Sequence, residues 1–157
     1  MTTDVDILAL VDAAFGEGLK PEHFTNFEHC EECAEHDQTL REHDRVTIGL
    51  EQLGNAGWDP LCFCSSEGMA YYFPALARLS LAKTTDPWDW YGEQLLFHLI
   101  SSSNRNNLCN FCSPTQRSAI ATLISHWIET RPSEYLLEST VDELLQAHSF
   151  WSSPREA

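Results

Sequence analysis

Cations are scarce in this chain. Nine Lys and Arg stand against 24 Asp and Glu, a formal net charge of −15 with the histidines neutral. Such a field repels phosphate backbones and anionic lipid, which excludes nucleic acid and the membrane surface as expected partners. No Lys or Arg precedes Lys20, so the basic start of a secretory signal is missing. Long apolar runs are missing too: the best approach to one, Leu95 to Ile100, is interrupted by His98 and ended by Ser101 to Ser103. The expectation is a cytoplasmic protein without a membrane span. Its six cysteines are then reduced thiols or metal ligands rather than a disulfide framework. Catalytic signatures are also lacking. There is no His-Glu-x-x-His, phosphate loop, dinucleotide glycine fingerprint or Gly-x-Ser-x-Gly elbow. No histidine has a glutamate three residues before it, which removes the di-iron carboxylate bundle. No repeat, low-complexity tract or pair of β-type runs joined by a tight turn is found.

What is present is helical periodicity. Leu8, Val11 and Phe15 form one stripe that Gly16 and Gly18 end, predicting a helix from Asp4 to Phe15. A second helix is expected after Asn26, an N-cap, and reaches Glu42, with Cys30, Cys33, Ala34, Asp37 and Leu40 on one side. A helical turn at Thr47 to Leu53 leads into turn-rich sequence through Pro60 and a brief extended segment at Leu61 to Cys64. Ser65 caps the next helix, which Pro74 should kink or break before it resumes to Ala82. Asp86 and Pro87 predict a helix start that runs to Ile100. Ser101 to Cys112, with three serines and four asparagines, is expected to be a loop. Ser113-Pro114-Thr115-Gln116 is a capping box with proline at the first helical position, and Ile120, Leu123, Ile124, Trp127 and Ile128 give the stripe behind it. A last helix from Ser133 is expected to be re-capped at Thr140 by a box with Glu143. These elements make an all-α bundle of about six helices in a single domain over residues 1–151, with a frayed tail over 152–157.

The chemistry crowds into His29-Cys30-Glu31-Glu32-Cys33-Ala34-Glu35-His36. Two thiols three apart on a helix share a face and can ligate one metal as thiolates, with His36 three further along. Zinc wants a fourth donor, which Cys62 and Cys64, or Cys109 and Cys112, would supply. The metal set expected from the sequence is Cys30, Cys33, His36, Cys109 and Cys112. The bland alternative places Cys30 and Cys33 in the core as small hydrophobes. Thiol redox chemistry is disfavoured, because Glu28, Glu31, Glu32 and Glu35 should raise a thiol pKa. His29, His36 and His43 recur every seven residues and would form one stripe on a continuous helix, gaining charge slightly below neutral pH. Cys62 or Cys64 with His98 or His126 could meet as nucleophile and base, but so many thiols and imidazoles make such pairs cheap. The aromatic residues around Trp88, Trp90 and Tyr91, and around Tyr71 to Phe73, are read as core packing.

Phe27 to Asp37, with its Cys-x-x-Cys-x-x-His-Asp order, and Gly57-Trp58-Asp59-Pro60 through Met69 to Leu76, with its Tyr-Tyr-x-Pro segment, resemble an uncharacterised family of small acidic bacterial proteins. With Ser113 to Arg117 the resemblance spans roughly residues 15 to 130. It carries over no functional residue, and Cys109 and Cys112 lie outside its pattern. The reading favoured at this point is a non-catalytic acidic interaction protein. It would bind a basic protein partner, as an immunity protein inhibits a basic toxin or nucleic-acid enzyme, and would need no cofactor. The alternative is a small zinc protein using Cys30 and Cys33, and the third reading is a Cys/His thiol enzyme.

Overall fold

The computed structural model describes residues 2–84, 86, 89–100, 107–131 and 138–153. The chain is all-α, and among the described residues six helices reach nine residues or more: α1 (Asp4–Phe15), α2 (Glu31–Glu42), α4 (Ser66–Leu81), α5 (Tyr91–Leu99), α7 (Pro114–Thr130) and α8 (Glu138–Ser152). Two short helices, α3 (Leu50–Leu53) and α6 (Asn107–Phe111), and two 3₁₀ turns, Ala56–Trp58 and Pro60–Phe63, complete the described secondary structure. No described helix is long and apolar enough to cross a membrane.

α4 is the centre of the bundle. Twelve of its sixteen residues are buried, so it is apolar all round, and α1, α5 and α6 pack against it. α7 packs against both α1 and α8. One cluster of buried side chains runs through all of these, from Ile7 to Trp151. Indole N–H groups in the cluster find partners: Trp90 donates to the Ser80 carbonyl at 2.9 Å, Trp127 to the Ser80 hydroxyl at 3.2 Å and Trp151 to the Leu99 carbonyl at 2.9 Å.

The starts of α1 and α7 follow from their caps. Thr3 and Asp6, and Ser113 and Gln116, close reciprocal capping boxes, and Asp4 to Phe15 is helical as expected. Several features differ from the sequence expectation, among them Leu61 to Cys64, expected to be extended and found for the most part in the Pro60–Phe63 3₁₀ turn that Asp59 caps. α2 begins at Glu31 rather than after Asn26, because the Cys30 sulfur caps it, accepting from the Cys33 amide at 3.4 Å. Of the kink or break expected at Pro74 the break is absent, since α4 runs on through it to Leu81. Burial of Tyr72, Phe73, Ala75 and Leu76 around it outweighs the roughly 3 kcal/mol an interior proline costs, and Arg45 donates to the Tyr71 carbonyl in the turn it loosens. α5 begins at Tyr91; of its expected start, Pro87 and Trp88 lie outside the described residues. Asn107 to Phe111 is a helix within the expected loop, since Leu108 and Cys109 bury against the core, whereas residues 101–106 lie outside the described residues. Thr140 is not a cap: it sits inside α8, buried, with its hydroxyl 3.5 Å from Glu93. The expected start at Ser133 and the tail after residue 153 lie outside the described residues.

Two devices hold α2 and its leading loop. Asp37 accepts from the backbone amides of Phe24 (2.6 Å) and Thr25 (3.1 Å) and pairs with His23 Nδ1 (2.7 Å), while Thr25 donates to the Cys33 carbonyl at 2.7 Å. At the other end, the Tyr72 hydroxyl bridges the Leu40 and His43 carbonyls from α4 at 2.6 and 2.8 Å.

Candidate functional sites

The first site lies at the start of α2. The extended backbone of Cys30 ends the loop and places its sulfur over the helix N-terminus, 3.2 Å from the Cys33 sulfur. His29 Nδ1 lies 3.7 Å from that second sulfur, so one donor atom each of His29, Cys30 and Cys33 fall within 4.8 Å of one another. His29 and Cys30 are exposed and Cys33 is buried. The Cys33 amide, the Cys33 thiol and then His29 favour the Cys30 thiolate and bring its pKa down to about 7. The Cys30 thiolate and burial push the Cys33 thiol the other way. The sequence expectation that the surrounding glutamates raise both thiols is therefore wrong for Cys30. It stands in front of the helix, facing free amides, and not along its inner face.

His36 is not part of this group. Its ring is fully buried, stacked on Phe63 at 5.0 Å and leaning on Trp58 at 4.5 Å between centroids. Neither ring nitrogen has a hydrogen bond, the Glu32 carboxylate being 3.6 Å from Nε2. Counting three residues on from Cys33 puts His36 one turn deeper, where α2 packs on the Pro60–Phe63 turn. The histidine stripe dissolves for the same reason: His29 precedes the helix, His36 is core and His43 ends it. Cys109 and Cys112 belong to neither of the donor groups found among the described residues. Both are buried, and burial pushes the Cys112 thiol up to about 12, which is core behaviour.

The second site joins residues far apart in the chain. Asp59 caps the Pro60–Phe63 turn, its Oδ1 accepting from the Leu61 amide at 2.9 Å. Its Oδ2 accepts from His98 Nε2 at 2.8 Å and from Gln94 Nε2 at 2.9 Å, two residues one turn apart on α5. Gln94 also donates to the Leu53 carbonyl at 2.6 Å, so the carboxylate ties α3, the turn and α5 together. Burial raises the Asp59 pKa, but His98, Gln94 and the Leu61 amide outweigh it and hold the carboxyl below its ordinary range. Donor atoms of Asp59, Cys62 and His98 lie within 4.8 Å of one another. Cys62 and His98 line an open cleft of about 860 Å³. Of the pairs the sequence allowed, the structure thus assembles Cys62 with His98. His126 instead pairs with Asp4 at 2.7 Å, and Cys64 is held neutral by burial. Asp59 was not foreseen as a member, since 39 residues separate it from His98.

Set against family models, curated proteins and solved structures, the chain matches none of them.

Proposed function

We propose that the chain is a small zinc-binding protein whose metal sits on His29, Cys30 and Cys33. The observation that carries this reading is the convergence of two sulfurs and an imidazole nitrogen within 4.8 Å. Two sulfurs and a nitrogen suit a borderline-soft cation. Tetrahedral zinc with bonds of about 2.3 Å needs its sulfurs about 3.8 Å apart, so the thiols, at 3.2 Å, have only to part slightly. Glu28, Glu31, Glu32 and Glu35 form a field that draws a divalent cation in and compensates its charge. Water or one of these carboxylates completes the coordination. Bound metal would fasten the His29 loop to α2, adding to the Asp37 pins.

Metal analysis of protein purified under reducing conditions tests it. Stoichiometric zinc is expected in the native chain and lost in Cys30→Ser and Cys33→Ser, while His36→Leu and Cys112→Ala retain it. Native protein that carries no zinc and takes up none on titration would overturn the reading.

A second reading, binding of a cationic protein, is supported by how the few basic side chains are used. Lys20, Arg45, Arg78 and Arg117 all donate to backbone carbonyls, so four of the nine basic residues are committed to holding chain segments together. Among the described residues the one ion pair that does not involve histidine is Arg131 with Asp4, at 3.6 Å. The acidic surplus is left for a partner or for solvent.

A further inference from the structure

We propose that Cys30 and Cys33 carry out thiol–disulfide exchange with disulfides flanked by positive charge, Cys30 as the entering sulfur and Cys33 as the resolving one. The activity goes beyond zinc binding and does not depend on it. It belongs to the metal-free pair, whose sulfurs zinc would cover.

Position divides the roles. The two sulfurs are 3.2 Å apart, in contact but unbonded. Cys30 is exposed and Cys33 is 5% exposed, so a disulfide on another molecule meets the first sulfur and not the second. The Cys33 amide, in the first turn of α2, donates to the Cys30 sulfur at 3.4 Å, and charge on that sulfur faces the positive end of the helix. The backbone behind the pair is pinned. Thr25 donates to the Cys33 carbonyl, and Asp37 holds the Phe24 and Thr25 amides. Bond formation therefore needs the sulfurs to close by only about 1 Å, and the resolving sulfur acts at the high effective concentration of a neighbour held in place.

Charge selects the substrate. Between Lys20 and Arg41 the chain has six carboxylates and no Lys or Arg. Glu28, Glu31 and Glu35 among them are exposed, and the Lys20 ammonium is taken up by the Arg41 and His43 carbonyls. An anionic disulfide is repelled by this field, and one carrying ammonium or guanidinium groups is drawn in. In the first step Cys30, having released its proton, bonds through sulfur to one sulfur of the substrate; the substrate S–S bond breaks, and one thiolate leaves and is protonated by water. Cys33 then gives its proton to solvent and its sulfur bonds to that of Cys30. The mixed S–S bond breaks and the second thiolate leaves. The substrate has gained two electrons and two protons, and the chain is left with a Cys30–Cys33 disulfide.

Three small disulfides test this: cystamine, which is cationic, bis(2-hydroxyethyl) disulfide, which is uncharged, and glutathione disulfide, which is anionic. Each is added in excess to the reduced full chain with a metal chelator present, so that the outcome does not turn on zinc. Peptide mass spectrometry follows the products. Each rate is divided by that of the same disulfide with N-acetylcysteine amide, an uncharged thiol, which cancels differences between leaving groups. The native chain should end as the Cys30–Cys33 disulfide. Cystamine should lead glutathione disulfide by roughly tenfold or more at low salt, the scale of electrostatic steering, and by much less in about 0.5 M sodium chloride. Cys33→Ser should stop at the mixed disulfide on Cys30, and Cys30→Ser, in which serine keeps the helix cap, should leave Cys33 unreacted. A native chain that stops at a mixed disulfide, that takes up cysteamine at the exposed Cys62 ahead of Cys30, or that shows no normalised preference for cystamine would overturn the proposal.

Discussion

Cys30 and His36 sit two turns of sequence apart and have opposite surroundings. Cys30 faces amides and water, and with its pKa at about 7 its alkylation by iodoacetamide in metal-free protein should reach half its plateau rate near that pH. An ordinary thiol reaches it more than a pH unit higher. Peptide-resolved labelling across pH measures this, and Cys33 should lag throughout. His36 buries two unpaired ring nitrogens among aromatic rings, a cost of about 1–3 kcal/mol that an apolar side chain avoids. His36→Leu should therefore leave stability unchanged or raise it by about 1 kcal/mol, read as a shift in urea midpoint at constant slope. Asp37 and Asp59 both have pKa values below the ordinary aspartate value of 3.8 in the folded chain. For Asp37 burial pushes up, and the His23 ring with the Phe24 and Thr25 amides more than offsets it. A depressed carboxyl stabilises the fold above its unfolded pKa, and that contribution is lost as pH falls through the lower folded value. Stability should thus decline below about pH 4, and Asp37→Asn should shallow that decline in urea titrations run at successive pH values.

Helix starts read from a capping hydroxyl held at Ser65 and Ser113 and failed at Thr140, which lies inside α8. Ser113 closes its box with Gln116, and Ser113→Ala should cost about 1 kcal/mol in thermal or urea unfolding. The start of α2 was misplaced because a thiol stands in the cap position, and Asn26, a residue of the usual type, lies four residues ahead and only closes a turn to His29. The fate of Pro74 was hidden for another reason: whether a proline ends a helix depends on the burial around it, which comes from α1, α5 and α6 and not from its neighbours in sequence. Gly68 reverses a propensity rule in the same way. Alanine in a helix is ordinarily favoured over glycine by about 1 kcal/mol. Here a Cβ would fall 2.6 Å from the Cys64 sulfur and 2.7 Å from the buried Phe24 ring. Gly68→Ala should lower the unfolding midpoint rather than raise it, and should loosen the cleft wall beside Ser65.

Across the whole molecule, charge and fold class were legible in composition and periodicity, because both are sums over many residues. The first site was legible in part: Cys30 and Cys33 announce themselves by spacing, and only the position of the cap decides that His29 joins them and His36 does not. Of the second, Cys62 and His98 were legible only as one pairing among several, and Asp59 not at all, since the packing of a 3₁₀ turn on α5 brings the three together. The uncompensated charge has its own consequence. With so few cations left to pair with carboxylates, self-repulsion acts against the compact state, and added sodium chloride should raise the melting temperature over the first few tenths molar, as screening shortens the Debye length to below about 10 Å. A cationic protein captured from lysate at low salt should be released over the same range.

Trp90, Trp127 and Trp151 are sealed in the bundle, while Trp58 lies half open to water beside His36. Emission from the three sealed indoles falls at the blue edge of the fluorescence band and is shielded from acrylamide, and of the four described indoles only Trp58 contributes at the red edge, a share that Trp58→Phe removes. A loosening of the turns around Asp59 would therefore show as a colour change before the bundle itself melts, an optical gauge already built into the chain.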